Sequence, residues 1–157
     1  MKKILSLMLA MLMLISFSAC ESDGNGDDSD SDAVVDATAD EIASAIISKV
    51  SFTDTLSAVD SEVAEKLFSV DEGVKITAYC GSGALAEEIV IIESTKPAVK
   101  EMFEAYREKQ IGIFEKYNTD EVAKLEKAYI EVFGNYTVYC VSPSTDNVKS
   151  ALSSLTK

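Results

Sequence analysis

Carboxylates are the most abundant groups with which this chain could do chemistry, because it has 27 acidic residues and no histidine. Without histidine, the Ser-His-Asp and Cys-His arrangements and the usual zinc chemistry are excluded. Glu87 and Glu88 are adjacent on a predicted strand, so they point to opposite faces and cannot act together on one substrate. Glu88 and Glu93, five residues apart, are also on opposite faces. We therefore predict no catalytic residue, no metal site and no cofactor; a carboxylate pair drawn from different elements is the alternative.

Arg107 is the basic residue whose placement attracts most interest. It follows Tyr106 on a predicted helix, at the edge of the apolar stripe. The simplest interpretation is a surface arginine whose aliphatic stem covers the core. The alternatives are an ion pair with a strand carboxylate such as Glu88 or Glu93, and a contact with a ligand carboxylate or phosphate.

Cys80 and Cys140 end two similar segments, ITAYC and YTVYC, and both segments alternate as strands do. Outside the cytoplasm a disulfide between them is permitted, and it would stabilise the fold by about 4 kcal/mol in the chain-entropy model. The alternative, which we favour, is two small buried thiols that remain unpaired.

Cys20 follows a leader made of a basic start at Lys2 and Lys3, an apolar run and the small pair Ser18-Ala19. This order is typical of a bacterial lipoprotein signal, in which the cysteine thiol is lipidated and cleavage makes it the new N-terminus. The apolar run is shorter than the roughly 20 residues of a membrane span. We predict a signal peptide at 1–19, lipidation (palmitate included) at Cys20, and a place on the extracytoplasmic face of the cell membrane. An ordinary secretory peptide that leaves Cys20 as a free thiol is the alternative.

Residues 20–32 carry that cysteine and an acidic stretch without apolar side chains, so we predict a disordered tether there. The alternation of Asp23, Asn25 and Asp27 is reminiscent of a calcium loop, but Asp28 and Val34 occupy positions that need glycine and glutamate. The chain has a net charge of −13, which disfavours nucleic acid as a partner.

A single α+β domain is predicted for residues 33–157, in the order αα-ββ-αα-β-α. A capping box at Thr38 and Glu41 begins the first helix, and Val63, Leu67 and Phe68 are expected on the buried side of the second. The strand 89–92 is apolar on both faces and is predicted to be central, after a turn at Gly81-Ser82-Gly83.

The second half of the domain is predicted as two helices, a strand and a last helix. Pro97 begins a helix whose apolar stripe runs to Tyr117. Asn118 and Glu121 are spaced as a capping box for a helix that Gly134 terminates. The residues on the buried side of that second helix are expected to be Val122, Leu125, Tyr129 and Val132. The result is a small antiparallel or mixed sheet of three or slightly more strands, with helices packed on it.

Several segments, taken in order, resemble a known family. They are the leader with its acidic spacer, residues 86–93, Arg107, residues 114–117 and residues 134–138. Together they are similar to small lipoproteins of Gram-positive, clostridial-type bacteria that carry a domain of unknown function, and the similarity covers residues 33–155. The chain departs from that pattern at Asn118-Thr119, where the family commonly has proline, and in Gly81-Ser82-Gly83, Cys80 and Cys140. The resemblance implies a location and a class of host, but no activity.

These observations favour a membrane-anchored extracytoplasmic lipoprotein whose domain is a non-enzymatic accessory or binding module. An envelope protein or the cell wall is the expected partner, besides the membrane that holds the lipid on Cys20. A carboxylate-based envelope enzyme is the alternative function.

Overall fold

The computed structural model describes residues 35–71 and 73–156. The predicted signal peptide, Cys20 and the acidic tether lie outside these residues. Five helices and five strands follow one another as α1 (Ala39–Lys49), β1 (Ser57–Val59), α2 (Ser61–Phe68), β2 (Ile76–Cys80), β3 (Glu88–Ile92), α3 (Pro97–Phe114), α4 (Val122–Glu126), β4 (Tyr129–Phe133), β5 (Tyr136–Val141) and α5 (Thr145–Ser153). A short 3-10 helix, Thr119–Glu121, precedes α4.

The strands form one antiparallel sheet in the order β1-β2-β3-β5-β4, which confirms the α+β class. Strand β3 is central, as its apolar sequence predicted, and all five of its residues are buried. Val90 and Ile92 pack beneath α2, α3 and α4, whereas Ile89 and Ile91 pack beneath α1 and α5. Helices therefore cover both faces of the sheet, and two apolar layers meet at β3.

The predicted helix beyond Val122 was wrong for most of its length. Helix α4 ends at Glu126, and residues 129–133 form strand β4, which pairs with β5 through a two-residue turn at Gly134-Asn135. Gly134 has φ +56°, a value that suits such a turn as well as a helix end. The apolar residues at 129, 130, 132 and 133 fit the spacing of a helix as well as that of a strand. The β-branched and aromatic side chains among them should have favoured the strand.

The predicted number and order of elements also needs correction. Strand β1 between α1 and α2 was missed because it has only three residues, and with β4 it enlarges the sheet to five strands. Helix α2 presents a different side from the expected one. Ala64 and Phe68 are buried, while Val63 and Leu67 are 53% and 49% exposed.

Several helix predictions are confirmed. Thr38 and Glu41 form the expected capping box of α1, and Pro97 occupies the first turn of α3. Val148, Ala151 and Leu152 are the buried side of α5. Helix α3 ends at Phe114, three residues before the predicted end, and leaves Tyr117 56% exposed.

Candidate functional site

A cleft with a volume of about 290 Å³ lies between α3, the end of α2 and the loop 81–87 that joins β2 to β3. We call it the Glu88 cleft. Its walls combine apolar and aromatic side chains with a comparable share of polar surface, which includes Ser82, Glu88 and Gln110. The lining includes Leu67, Glu87, Glu88, Tyr106, Phe114 and Tyr117. A concave surface lined by apolar side chains and a few convergent polar groups is a candidate binding site.

The loop 81–87 is fixed at one end by Asp54. The Asp54 carboxylate accepts hydrogen bonds from the backbone N–H and the hydroxyl of Ser82, at 2.6 and 2.5 Å. These bonds lower the pKa of Asp54. A side chain at Gly81 would place its Cβ 2.7 Å from Asp54 Oδ2, so it would displace the carboxylate that holds Ser82. The Gly81-Ser82-Gly83 turn predicted from the sequence is therefore part of an anchored cleft wall.

The other side of the loop is held by residues that follow α3. The Tyr117 hydroxyl donates to the Gly83 carbonyl at 3.1 Å, and the Asn118 side-chain amide donates to the Ala84 carbonyl at 3.3 Å. Glu121 accepts from the Ala86 N–H at 3.0 Å. Asn118 makes no side-chain bond to its own helix. The capping box predicted at Asn118 and Glu121 was therefore wrong, because both side chains hold the loop instead.

Glu87 is buried and ionised, and its charge is stabilised by one lysine and two backbone N–H groups. Its carboxylate accepts from Lys124 Nζ at 2.8 Å and from the backbone N–H groups of Thr53 and Asp54 at 2.7 and 3.0 Å. Lys124 also pairs with Glu121 at 2.9 Å. Burial alone would raise the pKa of Glu87, but these hydrogen bonds outweigh it and lower that pKa. This carboxylate joins elements together and is not available to a ligand.

Glu88 lies one residue further on, in different surroundings. Its carboxylate accepts from the Tyr106 hydroxyl at 3.3 Å and lies 3.9 Å from the Cys80 thiol. The Tyr139 hydroxyl also faces it, without a hydrogen bond of good geometry. Burial is the main cause that raises the pKa of Glu88 to about 7, against the opposing effect of these three neighbours. A carboxyl that titrates near neutrality and lines a cleft is a typical functional group.

Glu87 and Glu88 have separate hydrogen-bond partners, as predicted, although Glu87 precedes β3 and both residues line the Glu88 cleft. Glu87 bonds to Lys124 and the 53–54 backbone, whereas Glu88 faces Tyr106 and Cys80. Glu93 is exposed and pairs with Lys75 at 2.8 Å, away from the cleft. Two carboxylates therefore do not converge on one point of the Glu88 cleft.

Cys80 and Cys140 are free thiols on strands β2 and β5, with β3 between them. Cys80 packs in the layer under α3, and Cys140 in the layer under α1 and α5. Two strand spacings amount to about 10 Å, beyond the Cα separation that a disulfide spans. Burial, with the nearby charge of Glu88, raises the pKa of Cys80 to about 12. This keeps the thiol neutral beside the carboxylate.

Arg107 does not line the Glu88 cleft. Its Nη2 lies 3.0 Å from Oε1 of its neighbour Glu108, and its Nε is buried without a hydrogen-bond partner. The ion pair considered with Glu88 or Glu93 is not formed.

The sequence pattern indicated Arg107 but did not indicate Tyr106 and Tyr139 as residues of the site. Both tyrosines had been counted only as apolar members of a helix stripe and a strand, and only their meeting with Glu88 distinguishes them.

The described residues contain neither a cluster suited to a metal ion nor a helix suited to a membrane span. In residues 35–71 and 73–156, no three cysteine or acidic side chains are grouped so that they could hold a metal ion. Among the helices of the same residues, none combines the length and the apolar character needed to cross a membrane.

The fold and the cleft define an α+β domain with an antiparallel five-stranded sheet and one anchored loop over a buried carboxyl. Residues 48–142 match the family described as a domain of unknown function (DUF4358), and the chain belongs to that family. The matched segment contains all five strands and every residue named above as part of the cleft. No curated protein and no solved structure matches the chain.

Proposed function

We propose that this protein is a membrane-anchored extracytoplasmic lipoprotein of clostridial-type bacteria, and that its domain is a binding module that uses the Glu88 cleft. The leader and Cys20 support the anchor, and the resemblance described above supports the host class. An envelope protein or a wall component is the expected source of the ligand. The Glu88 cleft carries the proposal of binding, because it combines exposed apolar side chains with a carboxyl that has no ion-pair partner among the described residues.

The rim supports binding because its apolar side chains are exposed next to a polar floor. Leu67 on α2 and Tyr117 after α3 are 49% and 56% exposed, and both line the cleft. Exposed apolar groups bordering a concave, partly polar surface are typical of interaction sites. Loop 81–87 is anchored on both sides, so this surface needs little ordering when a ligand binds.

A carboxylate enzyme remains the second candidate, on the strength of Glu88. A carboxyl with a pKa of about 7 matches the requirement of a general acid near neutral pH. Glycosidase-type chemistry needs a second carboxylate across the substrate. Glu87 cannot supply it, because Lys124 and two backbone N–H groups occupy its oxygens. The geometry therefore supports binding better than catalysis.

A neutral fluorescent probe, Nile red, tests the binding proposal. Leu67→Ser should weaken probe binding several-fold, because it removes an apolar wall from the cleft. Val132→Ser is the matched control, since Val132 is similarly exposed, at 47%, and lies outside the cleft. Circular dichroism checks that both variants fold. Equal probe affinity in the two variants would mean that the cleft is not the binding surface.

A further inference from the structure

Glu88 is an acidic group in the cleft without a counter-charge. The other acidic residue of the lining, Glu87, is paired with Lys124. Glu88 is 8% exposed and faces Cys80 from β2, Tyr106 from α3 and Tyr139 from β5. No lysine or arginine among the described residues forms an ion pair with it. When Glu88 is ionised, no basic side chain of the described residues compensates its charge in the cleft, so a cation that enters from outside would stabilise the ionised form.

The surroundings of Glu88 indicate what kind of cation fits. The cleft lining has aromatic and aliphatic side chains, the uncharged polar residues Ser82 and Gln110, and no basic residue. Tyrosine and phenylalanine faces attract organic cations, and the aliphatic walls contact hydrocarbon. A metal ion would need several oxygen ligands, and one carboxylate does not supply them. The net charge of −13 disfavours an anion and attracts a cation.

We propose that the Glu88 cleft binds a primary alkylammonium group, with the ammonium on the Glu88 carboxylate and the alkyl chain against Leu67, Tyr106 and Phe114. The volume of about 290 Å³ suits a group of side-chain size. This inference deepens the proposed binding function and rests on it. The group is the one carried by a lysine side chain and by a free aliphatic amine.

The pH dependence of binding follows from the titration of Glu88. Without ligand, Glu88 takes up a proton as the pH falls through about 7, and an ammonium binds the ionised form. The other facing groups do not titrate near neutrality. Burial raises the pKa of Tyr106 and Tyr139 above the usual range, and that of Cys80 to about 12. Hydrogen bonds lower the pKa of Glu87 and raise that of Lys124, so both stay charged. Ammonium binding should therefore strengthen from pH 5.5 to pH 8.

The test is a titration of the full chain with n-pentylammonium, followed by NMR at pH 5.5 and pH 8. The amine keeps its proton at both values, as a lysine does. The dissociation constant should fall about tenfold or more over this range, because Glu88 is mostly protonated at the lower pH. The neutral analogue 1-pentanol should bind more weakly and with no pH dependence. Glu88→Gln should remove the preference for the ammonium, whereas the exposed control Glu93→Gln should keep it.

A second arm distinguishes the two sources of the ammonium. N-acetyl-lysine methylamide should bind as well as n-pentylammonium if the natural ligand is a protein side chain. Weaker binding of the lysine derivative would indicate a free amine, and either result supports the shared chemistry. Equal binding of pentanol and pentylammonium at pH 8 would overturn the inference and leave the proposed binding function intact. Absence of saturable binding by both probes would also overturn it, and the Leu67 experiment would then decide the proposed function independently.

Discussion

Adjacent glutamates acquire opposite ionisation behaviour in this domain. Glu87 has three hydrogen-bond donors, one of them a lysine, so its ionised form is favoured in spite of burial. Glu88 has two tyrosine hydroxyls and a thiol around it, so burial prevails and the neutral form is favoured until about pH 7. The difference arises from the groups that reach each carboxyl. Glu87 consequently joins three segments of the fold in its ionised form, whereas Glu88 has no ion-pair partner among the described residues.

Glu88 makes the stability of the domain depend on pH in a predictable direction. Its folded pKa of about 7 lies above the unfolded value of 4.5, so the folded state holds the proton more tightly. The free energy of unfolding contributed by Glu88 is therefore greatest below pH 4.5 and declines as the pH rises to about 7. The loss should be about 3 kcal/mol. Glu87, with its lowered pKa, acts in the opposite direction and below this range.

Urea unfolding at a series of pH values from 4.5 to 7.5 measures this effect. In the Glu88→Gln variant the decline should disappear, because the amide does not titrate. Glu93→Gln is the control, since Glu93 is exposed at the other end of the same strand. An unchanged decline in Glu88→Gln would show that another group causes it.

At the scale of elements, strand β3 joins the two apolar layers. Its residues alternate between the layer under α2, α3 and α4 and the layer under α1 and α5. It also carries Glu88 at its first position, where the strand leaves the anchored loop. The same strand thus supports the core and positions the cleft carboxyl.

Substitution of Ile91 or Ile92 by alanine tests the two-layer packing. Both side chains are buried, on opposite faces of the sheet, so each change should cost about 2–5 kcal/mol through lost burial and a cavity. Val132→Ala at an exposed position of β4 should cost less than about 1 kcal/mol. Denaturant unfolding of the three variants gives these values. A small loss at only one of the two isoleucines would indicate that one face of the sheet is open.

At the scale of the whole molecule, the charge of the chain and its proposed anchor act together. A net charge of −13 repels anionic membrane headgroups. A lipid on Cys20 would hold the domain at the membrane while this repulsion keeps its surface away from the bilayer.

Cys20→Ala tests the anchor. Metabolic labelling with palmitate should mark the unsubstituted protein and leave the variant unlabelled, because the acylated thiol is absent. The variant should also leave the membrane fraction, since acyl chains contribute about 0.8 kcal/mol per buried methylene to attachment. Cys80→Ala is a suitable control and should keep the label. Label retained in Cys20→Ala would contradict lipidation at this position.

The sequence by itself predicted the features that depend only on residues close to one another along the chain. The capping box of α1, the start of α3 at Pro97 and the buried β3 follow from local pattern, and the structure confirms them. The opposite placement of Glu87 and Glu88 also follows from strand geometry alone. In residues 129–133 the pattern fitted both periods, and pairing with β5 decided for a strand. The residue types of this segment favour a strand, but the spacing of its apolar residues also fits a helix, and the pairing with β5 settles the choice.

The candidate site was decided only by the tertiary structure. Cys80, Glu88, Tyr106 and Tyr139 come from four segments of the chain, and nothing in their local sequence relates them. The separation of Cys80 from Cys140 likewise depends on strand order, since β3 is inserted between strands with similar sequences. The physical reason is that the pKa of a carboxyl and the reach of a thiol depend on what is packed around them. Burial and distance of this kind arise from long-range contacts, which the sequence of a single element does not contain.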